Sequence, residues 1–115
     1  MEIEDIRLIL KAEILVPAVP GKVIERACGS DLMSDVLAFT KDKTMLLTGL
    51  TTPQVVRTAE MLDLPAIVFV RGKRPEETTI ELARKRGIPL LRTEFPMYEA
   101  CGLLYKAGIK GCSEG

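Results

Sequence analysis

Apolar residues in this chain fall into two alternating patterns. Short unbroken runs are followed by a polar loop, and then by apolar positions three and four apart. Three successive stretches repeat this: TMLLTGLTTP then QVVRTAEMLDL, AIVFVRGKRP then EETTIELARKRG, and IPLLRTEFP then MYEACGLLYKAG. Unbroken runs such as Met45, Leu46 and Leu47 are what a strand buried on both faces requires, and three- and four-residue spacing predicts one apolar helix face. Each loop ends in proline, at Pro53, Pro75 and Pro96. Proline suits a first helical turn because the N–H it lacks would be unpaired there. Val55, Val56, Ala59 and Leu62 predict the inward face of the first of these helices, which Asp63, Leu64 and Pro65 should stop. Ile80, Leu82 and Ala83 mark the second, with acids at its start, bases at its end and Gly87 as its C-cap. Met97, Ala100, Leu103 and Leu104 mark the third, over about 96–107.

Upstream, Ile3, Ile6 and Leu10 predict a short amphipathic helix over 3–11, and Ile14, Leu15 and Val16 a strand closed by Pro17, Pro20 and Gly21. A second strand is expected over 23–28, then a helix over 32–40 capped by Ser30 or Asp31. The fold class that follows is α/β: one domain over 1–115, with a small, mostly parallel sheet built from consecutive βα units and helices packed on its faces. Right-handed crossovers would bring all three loops to one edge of that sheet, where open α/β folds bind ligands.

Composition narrows the function classes. Sixteen basic and sixteen acidic side chains leave no net charge to attract nucleic acid or an anionic membrane. The opening MEIEDIRLILKAE is acidic and amphipathic, unlike a secretion signal, and no apolar run approaches the roughly 20 residues of a membrane span. A cytoplasmic protein without nucleic-acid or membrane partners is expected. Histidine is absent, and Cys28, Cys101 and Cys112 form no C-x-x-C pair, so no metal and no cofactor is expected. Cys28 and Cys101 sit in apolar stretches and read as small core residues, Cys112 as exposed. Whether Cys28 senses redox is left open, because a helix start would lower its pKa and apolar surroundings would raise it.

Catalytic signatures are missing. Neither Gly-Lys pair, at Gly21-Lys22 and Gly72-Lys73, belongs to a G-x-x-x-x-G-K-S/T loop, and no histidine could serve a serine or cysteine nucleophile. Asp31 and Asp35, four apart, could share Mg²⁺ in a phosphotransferase, or Asp31 could simply cap its helix. The positive signal lies in the three loops. Thr51 and Thr52 fill the first, Gly72 and Lys73 the second beside Arg71 and Arg74, and Arg92 and Thr93 the third. Hydroxyls, cations and flexible backbone at helix starts suit a phosphate, nucleotide or carboxylate. The same residues would also arise as caps, turns and solvated charges balanced by Glu76 and Glu77. Tyr98 and Tyr105 share a helix face and read as core or dimer packing, with base stacking as the alternative, and Phe39, Phe69 and Phe95 read as packed.

The runs CGSDLMSDVLAF, LLTGLTTPQVVRTAEMLDLPAIVFVRGKRPEE, ARKRGIPLLRT and YEACGLLY resemble the DRTGG domain family. They are similar also to the N-terminal domain of HPr kinase/phosphorylase. The chain carries Leu50, Thr51 and Thr52 where the namesake Asp-Arg pair is expected, and Arg71, Gly72 and Lys73 where Thr-Gly-Gly is expected. The resemblance implies a non-catalytic regulatory module, often beside CBS domains or attached to enzymes, with a tendency to dimerise. A serine-kinase activity is not expected, because the catalytic half bearing the phosphate loop is not in this sequence. The expectation is a non-enzymatic sensor, a homodimer, that binds a small anion or nucleotide at the loop edge. Its rivals are a docking module for a partner enzyme and, less favoured, a Mg²⁺-dependent phosphotransferase.

Overall fold

The unbroken apolar runs form the middle of a six-stranded sheet in the computed structural model, which describes residues 1–113. In chain order the elements are α1 (Ile3–Leu10), β1 (Glu13–Val16), β2 (Arg26–Gly29), α2 (Met33–Phe39), β3 (Thr44–Thr48), α3 (Pro53–Met61), β4 (Ile67–Phe69), α4 (Glu77–Arg86), β5 (Leu90–Arg92), α5 (Met97–Lys106) and β6 (Lys110–Gly111). The strands lie in the order β1-β5-β4-β3-β2-β6. Every neighbouring pair is parallel except β1 with β5, where the edge strand runs antiparallel with an irregularity between Ile14 and Val16.

Successive side chains of a strand point to opposite faces, so a run apolar at every position feeds two cores. On one face Met45, Leu47, Val68 and Leu91 meet α1 and α5 through Ile6, Leu10, Ala100 and Leu104. On the other, Leu46, Ile67, Phe69 and Leu90 meet α2, α3 and α4 through Val36, Val55, Ala59, Ile80 and Ala83. The chain therefore changes face after β5, and only α5 returns across the sheet to reach β6 beyond β2. The divergence lies between the loop after β4 and the loop after β5, the switch-point position at which open α/β sheets form a crevice.

Local signals place most boundaries. Glu2 N–H donates to Asp5 Oδ2 at 3.0 Å at the start of α1. Asp63, at φ 53°, turns the chain out of α3, and Gly87, at φ 69°, ends α4 in the left-handed conformation that glycine adopts without steric cost. Several expectations need correction. The second strand starts at Arg26 rather than at 23, because Ile24 N–H donates to the Met1 carbonyl at 2.8 Å and holds that segment away from the ladder. Asp31 does not cap α2: the N-cap residue is Leu32, whose N–H donates to Ser30 Oγ at 3.0 Å. Strand β6, two residues long, carries no periodicity to detect.

The aromatic residues divide. Phe69 is fully buried and Phe95 packs against the α1–α5 core, whereas Phe39 is 65% exposed, Tyr105 is exposed and Tyr98 is 86% exposed, so these three lie outside the core. Cys28 and Cys101 are half-buried at the margin rather than in the core, and Cys112 is half-buried rather than open. Among the described residues no helix is long and apolar enough to cross a membrane.

Candidate functional site

Three loops leave the carboxyl ends of the parallel strands: 49–52 after β3, 70–76 after β4 and 93–96 after β5. Two of the helices they feed belong together. Thr51 carbonyl accepts from Glu76 N–H at 3.1 Å and from Thr79 Oγ1 at 2.7 Å, which ties the start of α4 to the loop that starts α3. Neither start has a side-chain cap, and both helices lie on the α2–α4 side of the sheet. The start of α5 is also uncapped but belongs to the opposite face.

The six residues expected at this edge separate into two groups. Arg92 is engaged at all three ends of its guanidinium. Its Nε donates to Gly72 carbonyl at 2.9 Å, Nη1 meets Glu13 Oε1 at 3.2 Å and Nη2 meets Glu94 Oε2 at 3.2 Å. It thereby holds the β4 loop, the edge strand β1 and the β5 loop in one arrangement. Thr93 is 1% exposed. Its hydroxyl donates to Leu10 carbonyl at 2.7 Å and accepts from Phe95 N–H at 3.3 Å, fastening the β5 loop to the end of α1. Gly72 sits at φ 65°, donates its N–H to Thr93 carbonyl at 2.8 Å, and lies so near Glu94 that an added Cβ would come within 2.7 Å of Oε1. Glycine is needed there twice, for its backbone conformation and for that approach.

Lys73, Thr51 and Thr52 remain. Lys73 reaches across to the first loop, its Nζ 3.7 Å from the position of a Cβ on Gly49. Thr52 is exposed at the α3 N-cap position without using its hydroxyl as a cap, and Thr51 is half-buried beside it. Arg71, Lys73 and Arg74 are exposed and have no ion-pair partner among the described residues, in contrast to Arg92. Arg71 is held at φ 60° with its N–H on Phe95 carbonyl at 2.8 Å, so the loop backbone that carries these cations is anchored.

Two carboxylates belong to this edge: Glu94, expected in the third loop, and Asp31, which linear reading did not assign to it. Asp31 Oδ1 accepts from Gly49 N–H at 2.7 Å and from Thr48 Oγ1 at 3.2 Å, so the first loop already holds an anion of the protein's own. Glu94 covers Gly72. The signal for Asp31 was register: β2 and β3 run parallel with Gly29 opposite Leu47, and two residues further on Asp31 meets Gly49. Asp35, the other half of the proposed Mg²⁺ pair, is in the first turn of α2, and among the described residues no group of three His, Cys, Asp or Glu could hold a metal ion.

Replacing Thr93 with valine should cost about 1–3 kcal/mol in urea unfolding, because the Leu10 carbonyl and Phe95 N–H lose their partner. Loss of ligand affinity at unchanged stability would instead make Thr93 a ligand contact.

No protein-family model and no curated protein matches the chain. Among solved structures, it is similar to the CBS and DRTGG domains of the regulatory region of Clostridium perfringens pyrophosphatase, crystallised with its activator diadenosine tetraphosphate. The TM-score is 0.70 at 17% identity, over 90% of this chain and 45% of that one. The chain thus spans less than half of that regulatory region, and the likeness is one of fold.

Proposed function

We propose that this chain is a non-catalytic regulatory module of the DRTGG type, a single domain that binds a phosphate-bearing ligand such as a nucleotide. The ligand lies across the paired starts of α3 and α4. Its main support is one observation: among the described residues Arg71, Lys73 and Arg74 stand without ion-pair partners on an anchored loop, next to two uncapped helix starts. Lys73 and the Thr51 and Thr52 hydroxyls contact the phosphate, Arg71 and Arg74 close over it, and the backbone amides in the first turns of α3 and α4 complete the cradle. Gly72, Arg92 and Thr93 hold the scaffold. The neighbouring Asp31, Glu76, Glu77 and Glu94 make the edge electrically mixed, which selects a ligand seated close to Lys73 over diffuse attraction of polyanions. The likeness to a region that binds diadenosine tetraphosphate supports a nucleotide in particular.

Thermal unfolding with adenosine nucleotides, diadenosine tetraphosphate, sugar phosphates and acyl phosphates tests this. A ligand at about a hundred times its Kd should stabilise the fold by about 2.7 kcal/mol. For a domain near this size that is roughly 10 °C in Tm. If none of these compounds moves Tm, the sensor function fails.

A docking function without a ligand is the second reading. It is favoured by the groove between α5 and the β2–β6 edge, lined by Ala27, Tyr98, Gly102, Leu104 and Tyr105. A homodimer or a partner enzyme would cover that groove, and Tm would then respond to protein concentration or to the partner and not to nucleotides.

A further inference from the structure

Strands β2 and β6 pair in parallel with Arg26 opposite Lys110 and Ala27 opposite Gly111. One more step, into the turn that follows β6, would set Cys28 against Cys112 on the same register, and the two thiols are close enough to act on each other. Cross-strand neighbours point to the same face on strands about 4.8 Å apart. A disulfide spans Cα atoms roughly 4.4–6.8 Å apart, so this pair has the spacing to be bridged. Both thiols are free and line the same two surface grooves, one against α5 and the other against Phe39 and Asp35 of α2. Ala27 packs toward the α1–α5 core, so alternation turns Cys28 toward α2. Cys101 belongs to the opposite side, its Sγ 2.7 Å from where a Cβ on Gly29 would stand.

We propose that Cys28 and Cys112 are a thiol–disulfide site, whose intramolecular bond clasps the two-residue strand β6 to β2. The co-reactant is a low-molecular-weight disulfide, RSSR. The Cys112 thiolate attacks one sulfur, forming Cys112–S–S–R and releasing the first RS⁻, which takes up the proton Cys112 gave. Cys28 then attacks the Cys112 sulfur, the second RS⁻ leaves with the Cys28 proton, and the ring closes. The two cysteines are oxidised by two electrons in total, and RSSR is reduced to two RSH.

The order of events follows from the surroundings. Burial first, then the neighbouring Cys112 and Cys101, push the Cys28 thiol up to about 11, so Cys28 is the poorer first attacker. The Thr40 hydroxyl, buried with no hydrogen-bond partner among the described residues, acts in the opposite direction and favours the Cys28 thiolate. The clasp changes what the sheet edge is. Two ladder pairs hold β6 in the thiol form, and the covalent bond holds it in the oxidised form, setting the walls of both grooves beside it.

The test is incubation of the full chain with glutathione disulfide at low protein concentration, followed by thiol titration in denaturant and peptide mapping. Titratable thiols should fall from three to one, with a single Cys28–Cys112 cross-linked peptide, loss of two hydrogens in mass, and a rise in Tm of several degrees that dithiothreitol reverses. Cys101→Ser should leave all of this intact, whereas Cys112→Ser, a change beyond the last strand, should abolish the cross-link while keeping the circular dichroism spectrum. A bridge through Cys101, a bridge between two copies, or glutathione left on Cys112 without ring closure would each overturn the proposal.

Discussion

Truncating Phe69 to alanine is expected to cost about 3–5 kcal/mol of folding stability. That is a large share of the roughly 5–15 kcal/mol typical of a domain. Phe69 is fully buried on the face shared by α3 and α4, among Val55, Val56, Ala59, Ile80 and Ala83. It is also the last residue of β4, paired with Thr48 on one side and Arg92 on the other, and its carbonyl accepts from Thr93 N–H at 2.9 Å. The side chain thus supports the strand end from which the cationic loop departs. Loss of the ring leaves a cavity that three rigid elements cannot collapse to fill, since α3 and α4 are tied together at Thr51. Urea unfolding measures the effect directly. A loss below about 1 kcal/mol would mean that this side of the sheet is loosely packed and the loop positions are not fixed by it.

Replacing Arg71, Lys73 and Arg74 together with alanine is expected to weaken the phosphate-bearing ligand at least a hundredfold, about 2.7 kcal/mol. Charge-assisted hydrogen bonds to phosphate contribute about 1.5–3 kcal/mol each when desolvated, and exposure of these side chains reduces that, so three cations rather than one are needed for a loss of this size. Stability without ligand should stay within about 0.5 kcal/mol of the parent, since all three are exposed and none has an ion-pair partner among the described residues. Calorimetric titration of parent and variant separates the outcomes. Unchanged affinity would move the ligand off this edge altogether. The same substitution at Arg92 should behave differently, costing stability as well, because it would release Gly72, Glu13 and Glu94 at once.

Elements were legible where the residues carrying them are local. Helices α3 and α4 begin within two residues of Pro53 and Pro75, α5 begins just after Pro96, and α4 ends at a glycine in the left-handed region. Strands β3 and β4 were legible because burial on both faces removes polar alternation. Strand β6 was not legible, since Lys110 and Gly111 pair through backbone groups that every residue possesses. Nor was the exposure of Phe39 and Tyr98, because α2 and α5 lie near the β2–β6 edge, where no further layer covers them. The candidate site was legible as three loops and illegible as a geometry. Gly72 was recognised for its flexibility, while Arg92 and Thr93, chosen for their ligand-binding chemistry, turned out to be fastened to Gly72 and Leu10.

Local chemistry alone determined that this protein alternates strands and helices, that its loops bear hydroxyls and cations, and that it carries none of the common catalytic signatures. Propensity, periodicity and capping act over a few residues, and these properties need nothing longer. Tertiary structure decided which loops face the same side and which cations are left without ion-pair partners among the described residues. Those depend on strand order and register, which bring Asp31 to Gly49 and Thr93 to Leu10 across 18 and 83 residues of chain. Contacts of that separation are set by which apolar faces must be buried together, a property of the whole sheet rather than of any segment.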